Sequence, residues 1–211
     1  TPKSWKDIWL NEGFATYSEA LYWEYNSGYD ALVSTMASKQ NSFKSSTLYD
    51  PEIELFSRLV YDKGAWVLHM LRYEVGDDNF SKILRTYYEN FKYKNVETKD
   101  FITIAEKISG KNLKKFFDQW VFKGKGKIEL DYSYTLSDSN VKINLIQIQK
   151  EYPIYKFDID IEILFSDKSK IKERLSIDKK EFQINIPVTK KPINVTLDPG
   201  FWLLAEYNNQ N

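Results

Sequence analysis

The spacing of hydrophobic residues changes near residue 124 of this 211-residue chain. Before that point, apolar side chains recur every three or four residues, which predicts amphipathic helices. The clearest example comprises Phe80, Ile83, Leu84, Tyr87, Tyr88 and Phe91. After the charged, glycine-rich segment Lys123–Lys127, apolar and polar residues alternate, which predicts strands with one buried face. The clearest strand has on one face Phe157, Ile159, Ile161, Ile163 and Phe165. The sequence therefore predicts an α + β chain, with an all-α part at 1–124 and an all-β part at 125–211.

Helix and strand boundaries follow from glycines, turn residues and capping residues. The predicted helices cover residues 7–26, 29–43, 59–75, 78–93, 98–109 and 112–122. Residues 45–55 are predicted to form a loop. About seven short strands follow the linker, a number that suits a two-sheet sandwich. In one strand the apolar positions shift from Leu145 to Ile146 and Ile148, which predicts a β-bulge.

Composition excludes several classes of protein. Lysines plus arginines number 30 and aspartates plus glutamates number 30, so there is no basic surplus for nucleic acid or anionic membranes. No uninterrupted apolar run approaches the roughly 18 residues of a membrane span, and we predict a soluble protein. The chain has no cysteine, which excludes disulfides and thiolate metal sites. None of this identifies a compartment, and export or a periplasmic location stays open.

The most unusual local feature is an acid inside an apolar helical segment. Glu12 lies within Trp5–Glu19, and a buried carboxylate normally pairs with a cation, binds a metal or takes up a proton. Gly13 follows it directly, although glycine inside a helix costs about 1 kcal/mol relative to alanine. We therefore expect something to approach the backbone closely here. Glu19 lies two helical turns further on, rotated by only about 20°, and projects toward the same side as Glu12.

Three segments of the chain resemble one family of enzymes. Trp9–Ala15, with the sequence WLNEGFA, looks like the downstream zinc-ligand segment of the gluzincin aminopeptidases related to membrane alanyl aminopeptidase. Val60–Ala65, with the sequence VYDKGA, looks like the same family's catalytic-tyrosine segment. Phe116–Trp120 resembles the end of the family's helical catalytic region, and the β-rich remainder resembles the small domain that follows it. The resemblance covers nearly the whole chain.

The resemblance implies a fold, a cofactor and a role for each candidate residue. Residues 1–124 would be the C-terminal helical part of a thermolysin-like catalytic domain, and residues 125–211 an immunoglobulin-like β-sandwich. Glu12 would be the third zinc ligand, and Tyr61 would donate to the oxyanion formed during peptide hydrolysis. Glu19 would contact a zinc-ligating histidine of the missing upstream segment and orient it. The implied substrates are peptides, recognised through their free α-amino group.

The sequence also departs from the family pattern. The family holds zinc with an HExxH helix and a downstream glutamate, but His69 is the only histidine here. We therefore expect a downstream fragment of a larger zinc aminopeptidase, in which the upstream segment supplies the missing ligands. Alone, the fragment is expected neither to bind catalytic zinc nor to cut peptides. It is also expected either to self-associate or to show a contiguous exposed apolar patch near Trp5, Trp9 and Phe14.

Other interpretations of the same residues stay open at this stage. From sequence alone, Glu12 and Glu19 also fit solvated or salt-bridged positions on a helix, and Tyr61 fits a packed tyrosine at a helix start. His69 is expected to be packed or to lie at a helix boundary rather than to bind metal. The chain as a whole also fits a non-catalytic binding module or a degenerate pseudo-peptidase. The first would be marked by ligand binding to the sandwich, the second by a parent gene without HExxH.

Overall fold

The computed structural model describes residues 1–51 and 55–211. These residues form two compact units, Thr1–Gly126 and Lys127–Asn211. The first unit contains the helices and the second contains the strands. Residues 52–54, which belong to the predicted loop at 45–55, lie outside the described residues.

The described part of the helical unit contains six α-helices and three shorter turns of other helix types. The α-helices are α1 (Trp9–Ser27), α2 (Tyr29–Ser38), α3 (Gly64–Val75), α4 (Asp77–Phe91), α5 (Thr98–Ser109) and α6 (Lys114–Phe117). A 3₁₀-helix covers Trp5–Asp7, and π-helices cover Leu59–Lys63 and Asp118–Phe122. The predicted helix at 29–43 is too long, because α2 ends at Ser38 and Phe43 has a positive φ of 48° that no helix accommodates.

Helix α1 is held to the start of α5 by buried polar contacts. Trp9 is fully buried, and its indole Nε1 donates to Thr98 Oγ1 at 2.9 Å. Asp7 precedes α1 and is also buried; its carboxylate accepts from the backbone N of Thr98 at 2.8 Å and from Thr98 Oγ1 at 2.7 Å. A carboxylate that accepts from a free N–H in the first turn of a helix stabilises that helix. The N-terminal turn of α5 therefore fixes where α1 begins.

The predicted apolar patch is wrong at Trp9, which belongs to the core. Phe14 is only half-buried, but its ring stacks on Tyr87 at 5.1 Å and meets Phe101 edge-on at 5.2 Å. Trp5 is exposed and meets Phe56 edge-on at 5.7 Å. Helical periodicity identifies which residues share a face, but it cannot tell which neighbouring helix covers them.

The second unit consists of two sheets. Its strands are β1 (Ile128–Ser137), β2 (Asn140–Gln147), β3 (Phe157–Phe165), β4 (Lys170–Ile177), β5 (Glu181–Pro187), β6 (Pro192–Leu197) and β7 (Ala205–Asn209). One sheet has the order β5-β2-β1-β7 and the other the order β4-β3-β6. Strand β7 runs parallel to β1, whereas the other pairs in the described chain are antiparallel. Helices and sheets occur as predicted.

The predicted β-bulge in β2 is wrong. The register of β2 with β1 is regular through Ile146, and Ile146 and Ile148 are partly exposed. Between them Gln147 is buried, where its side chain donates to the Tyr155 carbonyl at 2.8 Å and accepts from the Tyr155 backbone N at 2.9 Å. A buried amide with hydrogen-bond partners replaces the apolar side chain that simple alternation requires. A register shift occurs instead between Leu164 and Phe165, where β3 pairs with β6.

None of the helices in the described part of the chain combines the length and the hydrophobicity that crossing a bilayer requires.

Candidate active site

Two glycines bring helix α1 against the start of α3. A Cβ added to Gly13 would lie 2.8 Å from both Cα and the carbonyl carbon of Gly64, and one added to Gly64 would lie 2.8 Å from Gly13 Cα. Real Cβ atoms essentially never come this close to other atoms, so neither position accommodates a side chain without a shift of the backbone. The close approach expected at Gly13 is therefore present, and its partner is Gly64.

This crossing places Glu12 beside Tyr61. Glu12 precedes Gly13 on α1, and Tyr61 lies in the π-helix Leu59–Lys63 that runs directly into Gly64. The Tyr61 phenol lies close enough to the Glu12 carboxylate for the two groups to interact electrostatically. Both side chains are half-buried. Loss of solvent around the phenol, followed by the interaction with Glu12, raises the pKa of Tyr61, so the hydroxyl keeps its proton at neutral pH.

The π-helix itself is secured on both sides of Tyr61. Leu59 and Val60 are buried ahead of it. Asp62 accepts from Arg58 Nε at 2.7 Å, and Lys63 donates from Nζ to the Gly124 carbonyl at 2.7 Å. Single π-helical turns are rare and occur often at functional sites. Here the turn presents Tyr61 to α1 while its neighbours are held by other parts of the unit.

Glu19 lies on the same side of α1 but in a more exposed position. Its carboxylate accepts from Lys39 Nζ at 2.8 Å. Together with Thr16 and Tyr61, Glu19 lines an open pocket of about 520 Å³ that also includes Arg58 and Lys39. The structure therefore places Glu19 in the wall of the same pocket as Tyr61, with its carboxylate paired to Lys39.

His69 is a core residue. It is fully buried on α3, and its Nδ1 lies 3.0 Å from the Tyr17 hydroxyl. Its ring also meets Trp66 edge-on at 5.5 Å. Within residues 1–51 and 55–211, no group of three histidine, cysteine, aspartate or glutamate side chains lies close enough to hold a metal ion. Of the residues considered as metal ligands, Glu12 remains the candidate, and His69 does not because it packs in the core.

Sequence reasoning missed Lys63 and Asp62 as parts of this site. Both are buried, although charged residues are seldom buried without partners. A signal was available, because Asp62 and Lys63 are charged residues within the largely apolar stretch from Leu59 to Leu71. Arg58 precedes Asp62 by four residues, a spacing at which side chains of a helix meet, so this ion pair is local. The partner of Lys63 lies 61 positions away in the sequence, and only the fold identifies it.

Comparison with known proteins identifies the family. Residues 1–120 match the Peptidase family M1 domain. The chain belongs to this family. As a member of peptidase family M1, it is similar to a probable aminopeptidase 2 of Sulfurisphaera tokodaii, with 28% identity over 99% of this chain and 28% of that protein. It is also similar to glutamyl aminopeptidase of Rattus norvegicus, with 35% identity over 55% of this chain and 14% of that protein.

The fold of this M1 chain matches a solved structure along its whole length. The crystal structure of Legionella pneumophila aminopeptidase A in complex with aspartic acid superposes with a TM-score of 0.82, at 19% identity. The match covers 100% of this chain and 25% of that protein. Similarity at this level of identity concerns the fold. The chain spans between 14% and 28% of the lengths of the curated relatives named above.

Proposed function

We propose that this chain is part of a zinc-dependent aminopeptidase, in which Glu12 is a zinc ligand and Tyr61 stabilises the oxyanion of peptide hydrolysis. Membership of peptidase family M1 and the aminopeptidase relatives support the reaction class. The observation that carries the assignment of residues is the interaction of Tyr61 with Glu12 beside the backbone contact of Gly13 with Gly64. Two motifs that are far apart in sequence supply one ligand-type oxygen and one hydroxyl donor to the same place.

The residues present fit zinc in part. A carboxylate oxygen is one of the donors that catalytic zinc takes, and half-burial of Glu12 leaves it accessible to an ion. The described residues do not place two further ligands beside it. The proposal therefore requires the remaining ligands and the general base from the upstream segment of the same protein. Without that segment the chain is expected to be inactive and to lack catalytic zinc.

When bound, zinc would polarise the scissile carbonyl and activate a water molecule. Tyr61 contributes from this chain. Its hydroxyl remains protonated at neutral pH and lies beside Glu12, so its single O–H can donate to an oxygen of a substrate held at the same position. A donor aimed at charge that develops during the reaction stabilises the transition state more than the bound substrate.

The remaining assignments are also proposals. Glu19 would orient a ligating histidine of the upstream segment, through the carboxylate that now pairs with Lys39. Peptides would be the substrates, bound through their free α-amino group by residues outside this chain. Residues 1–124 would belong to the thermolysin-like catalytic domain. The two sheets at 125–211 would form an immunoglobulin-like sandwich, although the parallel β1–β7 pair departs from a purely antiparallel arrangement.

The test compares Tyr61→Phe and Glu12→Gln in the full-length protein with an aminoacyl anilide as substrate. Tyr61→Phe should lower kcat by roughly 10² to 10³ and leave KM and zinc content unchanged, because it removes a transition-state donor. Glu12→Gln should lower zinc content as well as kcat. Tyr25→Phe is the matched control, since Tyr25 is 90% exposed on the same unit. Unchanged turnover in Tyr61→Phe, or full zinc retention in Glu12→Gln, would reject the respective role.

A further inference from the structure

Lys63 is a fully buried lysine two residues after Tyr61. Its side chain has no solvent exposure, and its Nζ donates to the Gly124 carbonyl at 2.7 Å. The proposed reaction does not use this amine, and no substrate can reach it. A buried amine is costly, because its charged form loses hydration. That loss, followed by repulsion from Lys125, lowers the pKa of Lys63 to about 7.

The carbonyl that Lys63 reaches belongs to a segment with further attachments. Gly126 donates its backbone N–H to the Phe43 carbonyl at 2.7 Å, and Lys125 Nζ donates to the Ser45 carbonyl at 3.2 Å. Nearby, the backbone N of Tyr49 donates to the Val121 carbonyl at 2.9 Å. The segment 121–126 is thus tied to residues 43–49, and Lys63 connects the π-helix Leu59–Lys63 to that tied segment.

We propose that Lys63 is a positioning residue for Tyr61: its hydrogen bond to the Gly124 carbonyl fixes the π-helical turn that presents the Tyr61 hydroxyl to Glu12. The contact of Gly64 with Gly13 holds the backbone just after this turn. The hydrogen bond of Lys63 holds the last residue of the turn, between Tyr61 and Gly64. The inference rests on the proposed function, because it assigns Lys63 a role in a reaction that Tyr61 would assist.

A purely space-filling role does not account for the choice of side chain. Methionine is similar in length and shape to lysine and carries no charge to desolvate, so it would fill the same volume at lower cost. What lysine adds is one N–H donor aimed at a carbonyl 61 positions away in the sequence. Since a displacement of about 1 Å in a catalytic group can cost on the order of 10² in rate, such an anchor matters for turnover.

The test is a double-mutant cycle of Lys63→Met and Tyr61→Phe in the full-length protein. Lys63→Met should lower kcat by about 10- to 100-fold with little change in KM. In the Tyr61→Phe background it should have no further effect, because there is no hydroxyl left to position. Lys63→Gln keeps a donor on a shorter side chain and should recover part of kcat. Lys82→Met, at an exposed lysine on α4, is the matched control.

Hydrogen exchange gives a readout that does not depend on turnover. In Lys63→Met, exchange should accelerate in peptides that cover residues 55–67 and 120–126, and not in peptides from α4 or β1–β6. Additive effects of Lys63→Met and Tyr61→Phe on kcat, or uniformly faster exchange, would overturn the positioning role. If the unmutated full-length protein has no peptidase activity, the proposed function fails. The exchange experiment then tests the anchoring of the π-helical turn independently of activity. Faster exchange confined to residues 55–67 and 120–126 supports the anchoring, and uniformly faster exchange overturns it.

Discussion

At the scale of single residues, Lys63 makes the stability of the protein depend on pH. Its pKa of about 7 in the folded chain compares with about 10.5 for a lysine in an unfolded chain. Below pH 7 it carries a proton in both states, and the cost of burying the charge is fully present. Between pH 7 and 10.5 the unfolded state binds more protons than the folded state. The contribution of Lys63 to the free energy of unfolding therefore rises with pH in this range.

Urea unfolding of the original protein and of Lys63→Met at several pH values from 6 to 10 measures this contribution. The difference in unfolding free energy, original minus variant, should be constant below pH 7 and rise above it, with a slope approaching about 1.4 kcal/mol per pH unit. Other titrating groups cancel in the difference. Lys82→Met should give a constant difference throughout. Parallel curves for Lys63→Met would mean that the amine titrates normally.

Glu19 is the residue whose two interpretations differ most in their consequences. In its ion pair with Lys39, 54% of the Glu19 side chain and 13% of the Lys39 side chain are accessible, and ion pairs that reach solvent contribute below about 1 kcal/mol. We expect Glu19→Gln in the full-length protein to leave the unfolding free energy nearly unchanged but to weaken zinc binding by about 10- to 100-fold. Lys39→Met removes the same ion pair and keeps the carboxylate. Equal zinc affinity in the two variants would show that Glu19 is only a surface charge.

Sequence reasoning at this scale succeeded where a residue violates a strong local preference. Gly13 is unfavourable inside a helix, and its need for a close backbone neighbour follows from that cost alone. The lone histidine was expected to be packed or to lie at a helix boundary, and His69 is buried against Tyr17 and Trp66. The partner of Lys63 was not predictable, because nothing local distinguishes the Gly124 carbonyl from any other.

At the scale of elements, the crossing of α1 with α3 determines the site. The two backbones touch at Gly13 and Gly64, so the rotation of each helix about its axis is fixed at that point. These rotations determine where the side chains of Glu12 and Tyr61 point, since both residues lie within three positions of the contact. Helices usually pack 8–10 Å apart with side chains between them, and the glycines remove those side chains.

Gly13→Ala should test this arrangement. The added Cβ would lie 2.8 Å from Gly64, and such overpacking costs on the order of 1–3 kcal/mol, which exceeds the gain of about 1 kcal/mol in helix propensity. Urea unfolding should report a net loss, accompanied by lower kcat in the full-length protein. Ser18→Ala, at an exposed position of α1, should change the unfolding free energy by less than about 0.5 kcal/mol. Undiminished stability of Gly13→Ala would mean that the helices can separate without cost.

The π-helical turns were beyond sequence reasoning at this scale. Residues 59–75 and 112–122 were each predicted as single helices, and each contains a π-helix of five residues. A wider turn preserves helical periodicity over a few residues, so the hydrophobic pattern does not reveal it. It becomes favourable when fixed neighbours hold it, as Gly13 and the Gly124 carbonyl hold the C-terminal end of the turn Leu59–Lys63.

At the scale of the whole molecule, the chain contains two units that each have their own core. All of the described sheet pairings lie within 127–211. The β-unit closes with a turn at Asp198, which is buried and accepts hydrogen bonds from the backbone N of Trp202 at 2.8 Å and of Leu203 at 2.9 Å. Its carboxylate also accepts from the Tyr207 hydroxyl on β7 at 3.2 Å. This turn brings β7 alongside β1.

Asp198→Ala is therefore expected to destabilise the β-unit by roughly 3 kcal/mol, because it removes an acceptor that serves one buried and two partly buried donors. Calorimetry should show a lower midpoint for the transition of the β-unit and an unchanged one for the helical unit. The exposed Asp178, changed to alanine, serves as the control and should leave both transitions in place. A matching decrease in both midpoints would mean that the two units unfold as one.

The sequence by itself determined the two classes of element, the approximate limits of most of them and the segments that carry Glu12 and Tyr61. These follow from periodicity, turn chemistry and local motifs, which act over a few residues. The tertiary structure alone decided that Gly13 meets Gly64, that Tyr61 lies beside Glu12 and that Lys63 reaches the Gly124 carbonyl. It also decided that β7 pairs in parallel with β1. Such contacts join positions tens of residues apart, and their energy depends on packing that no local pattern encodes.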